Sequence, residues 1–454
     1  MNARAAEIAA IVDGTLHGPD TEVDGATIDS RAVRGGELFV PVVAARDGHD
    51  FIGPALLAGA SAYLTARGAG EGSAIAVDDT VAALGELGRW ARARLPDRVV
   101  GITGSTGKTS TKDLLAGALG RGRVVAVSPQ SFNNELGVPL TLFNASQHTD
   151  VAVVEMGARG AGHIAHLCEL ARPTVGVVTN VGLAHTSMFG SIEAVARAKR
   201  ELPAALPAGG TAVLNADDER VLAMKGVTPA SVLTYGLEAG DVRATDIALD
   251  DELRPAFRML TPWGDVDVRL PARGAHQVPN ALAAAAAALT LEVGLEDVAE
   301  GLAAAELSPW RMELARTPAG AIVVNDAYNA NPQSTEAALR ALARIDARRR
   351  IAVLGPMLEL GDESAREHRR IGELARALGI AVIVSVGAPD YGGDDVADVE
   401  AARARLGPLG PGDAVLVKAS RAAGLERLAH ALVGAPASRP GAGAPGEDPE
   451  WSRS

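Results

Sequence analysis

The apolar positions of this chain fall into blocks with different rhythms. From Arg98 onward, short β-branched runs alternate with helical stretches: Val99-Val100-Gly101-Ile102 reads as a strand, Ser110–Leu119 as a helix, and Val151–Val154 and Val175–Val178 as further strands. Runs without polar alternation belong to strands covered on both faces, as in a parallel sheet. The Ala-rich helix Ala281–Leu291 closes this block and Ser308-Pro309 interrupts the chain. Ile322–Val324, Ile351–Leu354, Ala381–Val386 and Ala414–Val417 then repeat the alternation. A second doubly wound sheet is therefore expected. Ahead of both lie shorter pieces, such as the apolar run Leu38–Val43 and the helix-like Gly53–Ala60, and Pro96-Asp97 breaks the helical stretch before Arg98. From about Gly434 the chain turns to Ala, Pro, Gly and Ser with scattered charge, which predicts disorder. The predicted organisation is α/β throughout: domains at 1–96, 97–308 and 309–434, and a tail at 435–454.

Composition narrows the function. Apolar residues make up 47% of the 454, enough for several cores. No apolar run approaches the ~18 residues of a membrane span. Met1–Gly14 lacks the basic stretch and apolar block of a secretory signal. One cysteine, Cys168, cannot form an internal disulfide and sits in an apolar helical stretch, where it reads as packing; a cytoplasmic location is expected. The net charge of −13 argues against a general binder of nucleic acid or anionic membrane, so any phosphate ligand must be held by local donors. Positive charge is carried almost wholly by arginine, with lysine kept at Lys108, Lys112, Lys199, Lys225 and Lys418. A chain that uses Arg for generic charge has kept Lys where a primary amine matters, so these five are functional candidates.

The strongest local signal runs from Val99 to Ser110: a buried strand, the glycine-rich turn Thr103-Gly104-Ser105-Thr106-Gly107, then Lys108-Thr109-Ser110 opening a helix. Glycines let backbone N–H groups converge on phosphate oxygens at the positive end of the helix. Lys108 would reach the outer phosphates of ATP and the Thr109 hydroxyl would ligate Mg²⁺. Glu155 follows the strand Val151–Val154 and so points into the crevice at the carboxyl ends of the sheet. Beside a nucleotide loop it becomes a candidate Mg²⁺ ligand.

The T-G-x-x-G-K-T form of this loop resembles that of the Mur ligase family, and the resemblance extends over nearly the whole chain except the tail. It implies a small N-terminal uridine-nucleotide-binding module, a central P-loop-type parallel sheet and a C-terminal Rossmann-like sheet. Asn180-Val181-Gly182-Leu183-Ala184-His185 resembles the family's N-x-G-x-A-H segment, which makes His185 a helper of a second metal ion. Lys199 matches the family lysine that takes up CO₂ to become an anionic carbamate ligand of Mg²⁺, with Arg200 where glycine is usual. Gly274–Asn280 is similar to the family motif that assigns Asn280 to adenine, with Gln277 where Asn is usual. Arg311 matches the arginine that reaches the nucleotide phosphates. Asn325-Asp326-Ala327-Tyr328-Asn329-Ala330-Asn331-Pro332 resembles the D-S-Y-N-A-N-P motif of the D-alanyl-D-alanine-adding branch. It places Asp326 on ribose, and Tyr328, Asn329 and Asn331 near nucleotide and dipeptide. Gly355–Gly361 with His368 matches G-D-M-x-E-L-G…H, with Pro356 for Asp. Lys418-Ala419-Ser420-Arg421 matches K-G-S-R and adds Lys418 and Ser420 to the dipeptide site. In the first block, Asp29-Ser30-Arg31, Gly36–Phe39 and Asp47–Phe51 resemble the uridine-nucleotide module. Asn133-Asn134 matches a substrate loop, so Ser30, Arg31, Asn133 and Asn134 are expected on the UDP-muramoyl tripeptide.

The resemblance thus implies an ATP-dependent ligase with two Mg²⁺ ions that joins D-alanyl-D-alanine to a UDP-muramoyl tripeptide as a monomer, with Lys108, Lys199, His185, Glu155 and Arg311 at the chemistry. Two other readings share the phosphate loop. A sister ligase adding diaminopimelate or lysine is one; the diaminopimelate-adding relative carries a D-N-P-R signature, and nothing like it appears in this sequence. The other, a P-loop ATPase switch, would leave the first and third blocks without a role.

Overall fold

The computed structural model describes residues 1–129, 132–183 and 186–434. The expected tail at 435–454 and His185 lie outside the described residues.

The central block is built on a nine-stranded sheet. Val125–Val127, Val151–Glu155, Val99–Thr103, Val175–Val178, Thr211–Asn215 and Ser231–Gly236 lie side by side in that order, all parallel. Every residue of Val99–Thr103, Val151–Glu155 and Val175–Val178 is buried, as unbroken β-branched runs require. From Val99–Thr103 the chain moves to one side of the sheet, then crosses to the other at Val175–Val178. The reversal opens a crevice at the carboxyl ends of these two strands.

Beyond Ser231–Gly236 the sheet changes character. Val242–Leu249, Pro255–Thr261 and Gly264–Arg269 add an antiparallel meander that sequence reasoning did not predict. Its cue is the period-two alternation of Asp265-Val266-Asp267-Val268-Arg269, in which only the two valines are buried.

One face of the sheet is covered by the helix Gln277–Thr290, in which Ala281–Ala288 are completely buried, lying against the helix Lys108–Leu119. Methyl side chains let the two backbones approach closely. Lys199 ends the helix Ile192–Lys199, and a second short helix, Glu201–Ala204, follows with Arg200 between them.

The C-terminal block carries a six-stranded sheet. Glu313–Arg316 is its antiparallel edge, followed by Ile322–Asn325, Asp413–Lys418, Arg349–Leu354, Val382–Val386 and Asp394–Val396 in parallel. The N-terminal block holds a smaller five-stranded sheet. It joins the central block through shared core residues and through Asn144, whose amide exchanges hydrogen bonds with the backbone of Ala26 at 2.6 and 2.9 Å. Central and C-terminal blocks also meet directly. Leu253, on the turn before Pro255–Thr261, is buried in the C-terminal core beside Met312 and Val324.

Candidate active site

Central and C-terminal blocks face each other across a cleft of ≈ 470 Å³. Its floor is the phosphate loop. Gly104 (φ +156°) lies against Thr179, whose hydroxyl would be 1.7 Å from an added β-carbon; Gly107 (φ +80°) lies against Asn280, whose Oδ1 would be 2.3 Å from one. Neither position tolerates a side chain, so the turn depends on these two glycines. Asn180 fixes the loop from the neighbouring strand end. Its backbone carbonyl accepts from Ser105 N at 3.0 Å and its Oδ1 from Thr106 N at 2.9 Å. The Ser105 hydroxyl donates to Gly182 O at 3.2 Å and accepts from Gly182 N at 2.8 Å.

The helix then begins at Lys108, and Lys108, Thr109 and Ser110 line the cleft. Lys108 Nζ donates to Gly104 O at 2.9 Å. Burial lowers its pKa below the usual lysine range; Glu155 opposes this, Arg311 adds to it and Glu359 opposes it. Thr109 and Glu155 form the polar centre. The Thr109 hydroxyl donates to Glu155 Oε2 at 2.9 Å and accepts from Arg311 Nη2 at 2.8 Å. Glu155, 1% exposed, also accepts from Asn133 Nδ2 at 2.9 Å through its other oxygen.

Lys199, 4% exposed, lies near enough to Lys108 to feel its charge. Burial, reinforced by the charge of Lys108, drives its ammonium pKa well below the ordinary value. Desolvation thus favours the neutral amine, the form that reacts with CO₂.

The opposite wall belongs to the C-terminal block. Arg311 stacks on the Tyr328 ring, with 4.2 Å from guanidinium carbon to centroid. Its buried Nε has no hydrogen-bond partner among the described residues. A buried guanidinium N–H without a partner, facing a glycine-built phosphate cradle, fits an anionic oxygen. The oxygen donors Thr109 and Glu155 fit Mg²⁺, which takes one or two carboxylates and completes its shell with phosphate oxygens and water. Among the described residues no three His, Cys, Asp or Glu side chains cluster as a metal site.

Several predicted residues prove to shape the site from within. Lys418, 2% exposed, donates to Asp326 Oδ2 at 2.5 Å and to Asn329 O at 2.9 Å, tying the Asn-rich loop to the strand Asp413–Lys418. Asp326 Oδ1 accepts from Met312 N at 3.0 Å. Asn331 caps the helix Pro332–Arg344 through a reciprocal pair with Ser334, and Pro332, expected to stop the turn, occupies the first helical position. The Ser420 hydroxyl accepts from Leu358 N at 3.0 Å and donates to Ala330 O at 3.3 Å. Tyr328, Asn329 and Asn331 all line the cleft. Asn280 lies inside its helix, its Nδ2 donating to Gln277 Oε1 at 2.8 Å and its Oδ1 against Gly107. Asn134 accepts from Gly137 N at 3.0 Å, supporting the following helix. Ser30 and Arg31 sit in a short turn of the N-terminal block, where Arg31 pairs with Asp29 at 2.7 Å. Cys168 is buried against Met156 Sδ at 3.8 Å, and burial pushes its thiol up to about 12, as packing demands.

Sequence reasoning left other participants without a stated role. Lys112, 2% exposed, donates to Ser128 O at 2.7 Å, and the Ser128 hydroxyl accepts from Glu155 N at 3.3 Å, so this retained lysine steadies the carboxylate from behind. His276 lines the cleft; burial lowers its pKa, opposed by Asp326 and aided by Lys418. Gln333 reaches across from the C-terminal block and lies against Gly182.

A phosphate loop at a topological switch point, with an acid-and-hydroxyl metal pair and an arginine brought over by a second sheet, defines a nucleotide-using α/β enzyme of several domains. Family models agree and are more specific: residues 102–288 match the Mur ligase middle domain and residues 310–431 the Mur ligase, glutamate ligase domain. The chain belongs to the Mur ligase family. It is 43% identical to the UDP-N-acetylmuramoyl-tripeptide--D-alanyl-D-alanine ligase of Mycobacterium tuberculosis, over 89% of this chain and 91% of that protein. Among solved structures it superposes on MurF from Acinetobacter baumannii with a TM-score of 0.86 at 30% identity, covering 96% of this chain and 99% of that one. It also superposes on the MurF ligase from Thermotoga maritima in complex with ADP, with a TM-score of 0.77 at 31% identity over 89% and 96%. No helix among the described residues is long and apolar enough to cross a membrane.

Proposed function

We propose that this chain is the ATP-dependent ligase that joins D-alanyl-D-alanine to the terminal carboxylate of a UDP-N-acetylmuramoyl tripeptide, forming the pentapeptide precursor of peptidoglycan. The observation that carries this reading is the meeting, in one cleft, of the phosphate loop with the loop Asn325–Pro332. One side handles a nucleotide and the other presents amides suited to a small polar dipeptide.

A carboxylate does not condense with an amine at neutral pH, so it is activated first. A tripeptide carboxylate oxygen attacks the γ-phosphorus of ATP, the bond to the β-phosphate oxygen breaks, and ADP leaves an acyl phosphate behind. Lys108 and Arg311 bring positive charge to the transferring phosphoryl group. Gly104 to Ser110 hold the nucleotide's phosphates, Asn280 faces its base, and Asp326 its ribose. The dipeptide amine, held by Tyr328, Asn329 and Asn331 on a frame braced by Lys418 and Ser420, then attacks the acyl carbon; phosphate leaves and the amine gives up its proton. Ser30, Arg31, Asn133 and Asn134 serve the UDP-substrate. Closure of the C-terminal block over the cleft keeps water from the acyl phosphate.

Thr109 and Glu155 are the protein ligands for Mg²⁺, which when bound supplies charge neutralisation at the phosphates. Lys199 is assigned the role of a further anionic ligand. Its neutral amine adds CO₂, an N–C bond forms and one proton is lost, leaving a carbamate; a second metal ion would lie there, with His185 assigned to it. The monomer is assigned as the working unit.

Ligation is tested by supplying UDP-muramoyl tripeptide, ATP and Mg²⁺ with one acceptor at a time. Phosphate release and a pentapeptide product are expected with D-alanyl-D-alanine, and neither with glutamate, diaminopimelate or single D-alanine. Product formation with diaminopimelate and none with the dipeptide would overturn the assignment.

A further inference from the structure

Arg311 stands between two residues in a conformation that side chains avoid. Trp310 has φ +59° and Met312 has φ +53°, both left-handed and neither glycine. Such backbone persists only where the surroundings over-determine it, and it gathers at functional sites. Here its effect is visible: the double reversal turns the Arg311 side chain off the C-terminal block and onto the Thr109 hydroxyl.

Each end of the arch is secured differently. At Met312 the backbone N–H is held by Asp326 and the side chain is buried in the core, so that end belongs to the machinery already described. At Trp310 the backbone contacts are long: its carbonyl accepts from Tyr328 N at 3.3 Å and its N–H donates to Glu313 at 3.4 Å. The side chain supplies the rest. The Arg421 guanidinium lies 4.2 Å from the indole centroid, and the His430 ring lies at 6.1 Å, tilted by 58°. Arg421 is itself steadied by Glu426 at 3.5 Å. A cation on the face of a tryptophan is an attractive, orienting contact.

We infer that Trp310 is a positioning residue for Arg311: its indole, clasped by Arg421 and His430, locks the left-handed arch that aims the guanidinium into the phosphate site. The role extends the reading of Arg311 as a phosphate contact and depends on it. Because Trp310 acts through Arg311, its removal should cost rate only while the arginine is present.

The test is a double-mutant cycle on the full chain, reading kcat and the KM of each substrate in the ligation assay. Arg311→Ala should lower kcat by about a hundredfold or more. Trp310→Ala should lower kcat roughly ten- to a hundredfold, the range expected for a reacting group displaced by about an ångström, with the KM for the UDP-tripeptide unchanged. Trp310→Phe, which keeps an aromatic face under Arg421, should recover most of the rate. In the Arg311→Ala background, Trp310→Ala should change kcat by less than about twofold. Were Trp310→Ala to fold poorly, Trp310→Leu, which keeps apolar bulk without the ring, carries the same comparison against Trp310→Phe. Full activity in Arg311→Ala would remove the phosphate role of Arg311 itself. A damaged Arg311→Ala enzyme combined with a silent Trp310→Ala, or with losses that multiply in the double variant, would overturn the positioning role alone.

Discussion

Replacing Lys199 by methionine should make the protein harder to unfold while abolishing ligation. Lys199 is 4% exposed, and burial together with the charge of Lys108 drives its pKa well below the ordinary 10.5. Folding therefore disfavours the protonated form of an amine that holds its proton firmly when unfolded. Each unit by which folding lowers the pKa costs up to about 1.4 kcal/mol of stability while the unfolded amine stays protonated. Methionine has a similar unbranched shape and no proton to lose, and imperfect repacking takes back roughly 1 kcal/mol. The methionine variant should therefore gain stability, each net kcal/mol raising the apparent Tm by about 2–4 °C for a domain of this size. The measurement is thermal unfolding in nucleotide-free, Mg²⁺-free and CO₂-free buffer. The sign follows from proton counting: between the folded and unfolded pKa values the unfolded wild type binds the extra proton, so wild-type stability rises with pH. The gap between the two proteins should thus shrink by ~1.4 kcal/mol per unit as pH rises towards 10. A methionine variant that melts at or below the wild-type temperature at pH 7.5, or a gap indifferent to pH, would refute the account of Lys199 as a buried, deprotonated amine.

Three further outcomes are expected. Lys199→Arg keeps a cation but cannot add CO₂, so it should lose at least tenfold in ligation rate (~1.4 kcal/mol or more); retention of more than a tenth of wild-type activity at saturating Mg²⁺ and substrates sinks the carbamate. Lys108→Ala removes a phosphate cation from a closed site and should cost on the order of 3 kcal/mol in the barrier, over a hundredfold in kcat, with the melting curve little changed; near-normal turnover at saturating ATP would contradict this. Asp326→Ala leaves the Lys418 ammonium buried without its carboxylate and should destabilise the protein by about 3–5 kcal/mol, checked by denaturant unfolding, a loss under about 0.5 kcal/mol being the contrary result.

What the sequence disclosed and what it hid divide along physical lines. The parallel cores were legible because Val99–Thr103, Val151–Glu155 and Val175–Val178 are buried on both faces and have no polar positions to interrupt them. The phosphate loop was legible because its chemistry is local: two glycines, a lysine and a helix start within six residues. Hidden features depend on distant partners. Nothing near Trp310 or Met312 in sequence indicates left-handed backbone, since Tyr328, Asp326 and Arg421 impose it from elsewhere in the chain. Lys112 stands out in the sequence only as a retained lysine, and what it does shows only when Ser128 is seen to receive it. Asn331 appears ready for a ligand in the sequence, whereas its side chain caps a helix. The meander Val242–Arg269 was passed over although its alternation was present, because attention to unbroken apolar runs selects against half-exposed strands.

The placement of the five lysines has a practical consequence for covalent chemistry. Lys112, Lys199 and Lys418 are buried, Lys225 is exposed, and Lys108 borders the cleft. Among the lysines, an amine-directed electrophile in solution therefore meets one outlying target and one at the phosphate site. Once Lys225→Arg has silenced the first, the stoichiometry of labelling becomes a direct count of open clefts, and protection by ATP a titration of nucleotide occupancy. An inhibitor that pairs a slow amine-reactive group with a phosphate mimic would find little else on this surface to consume it.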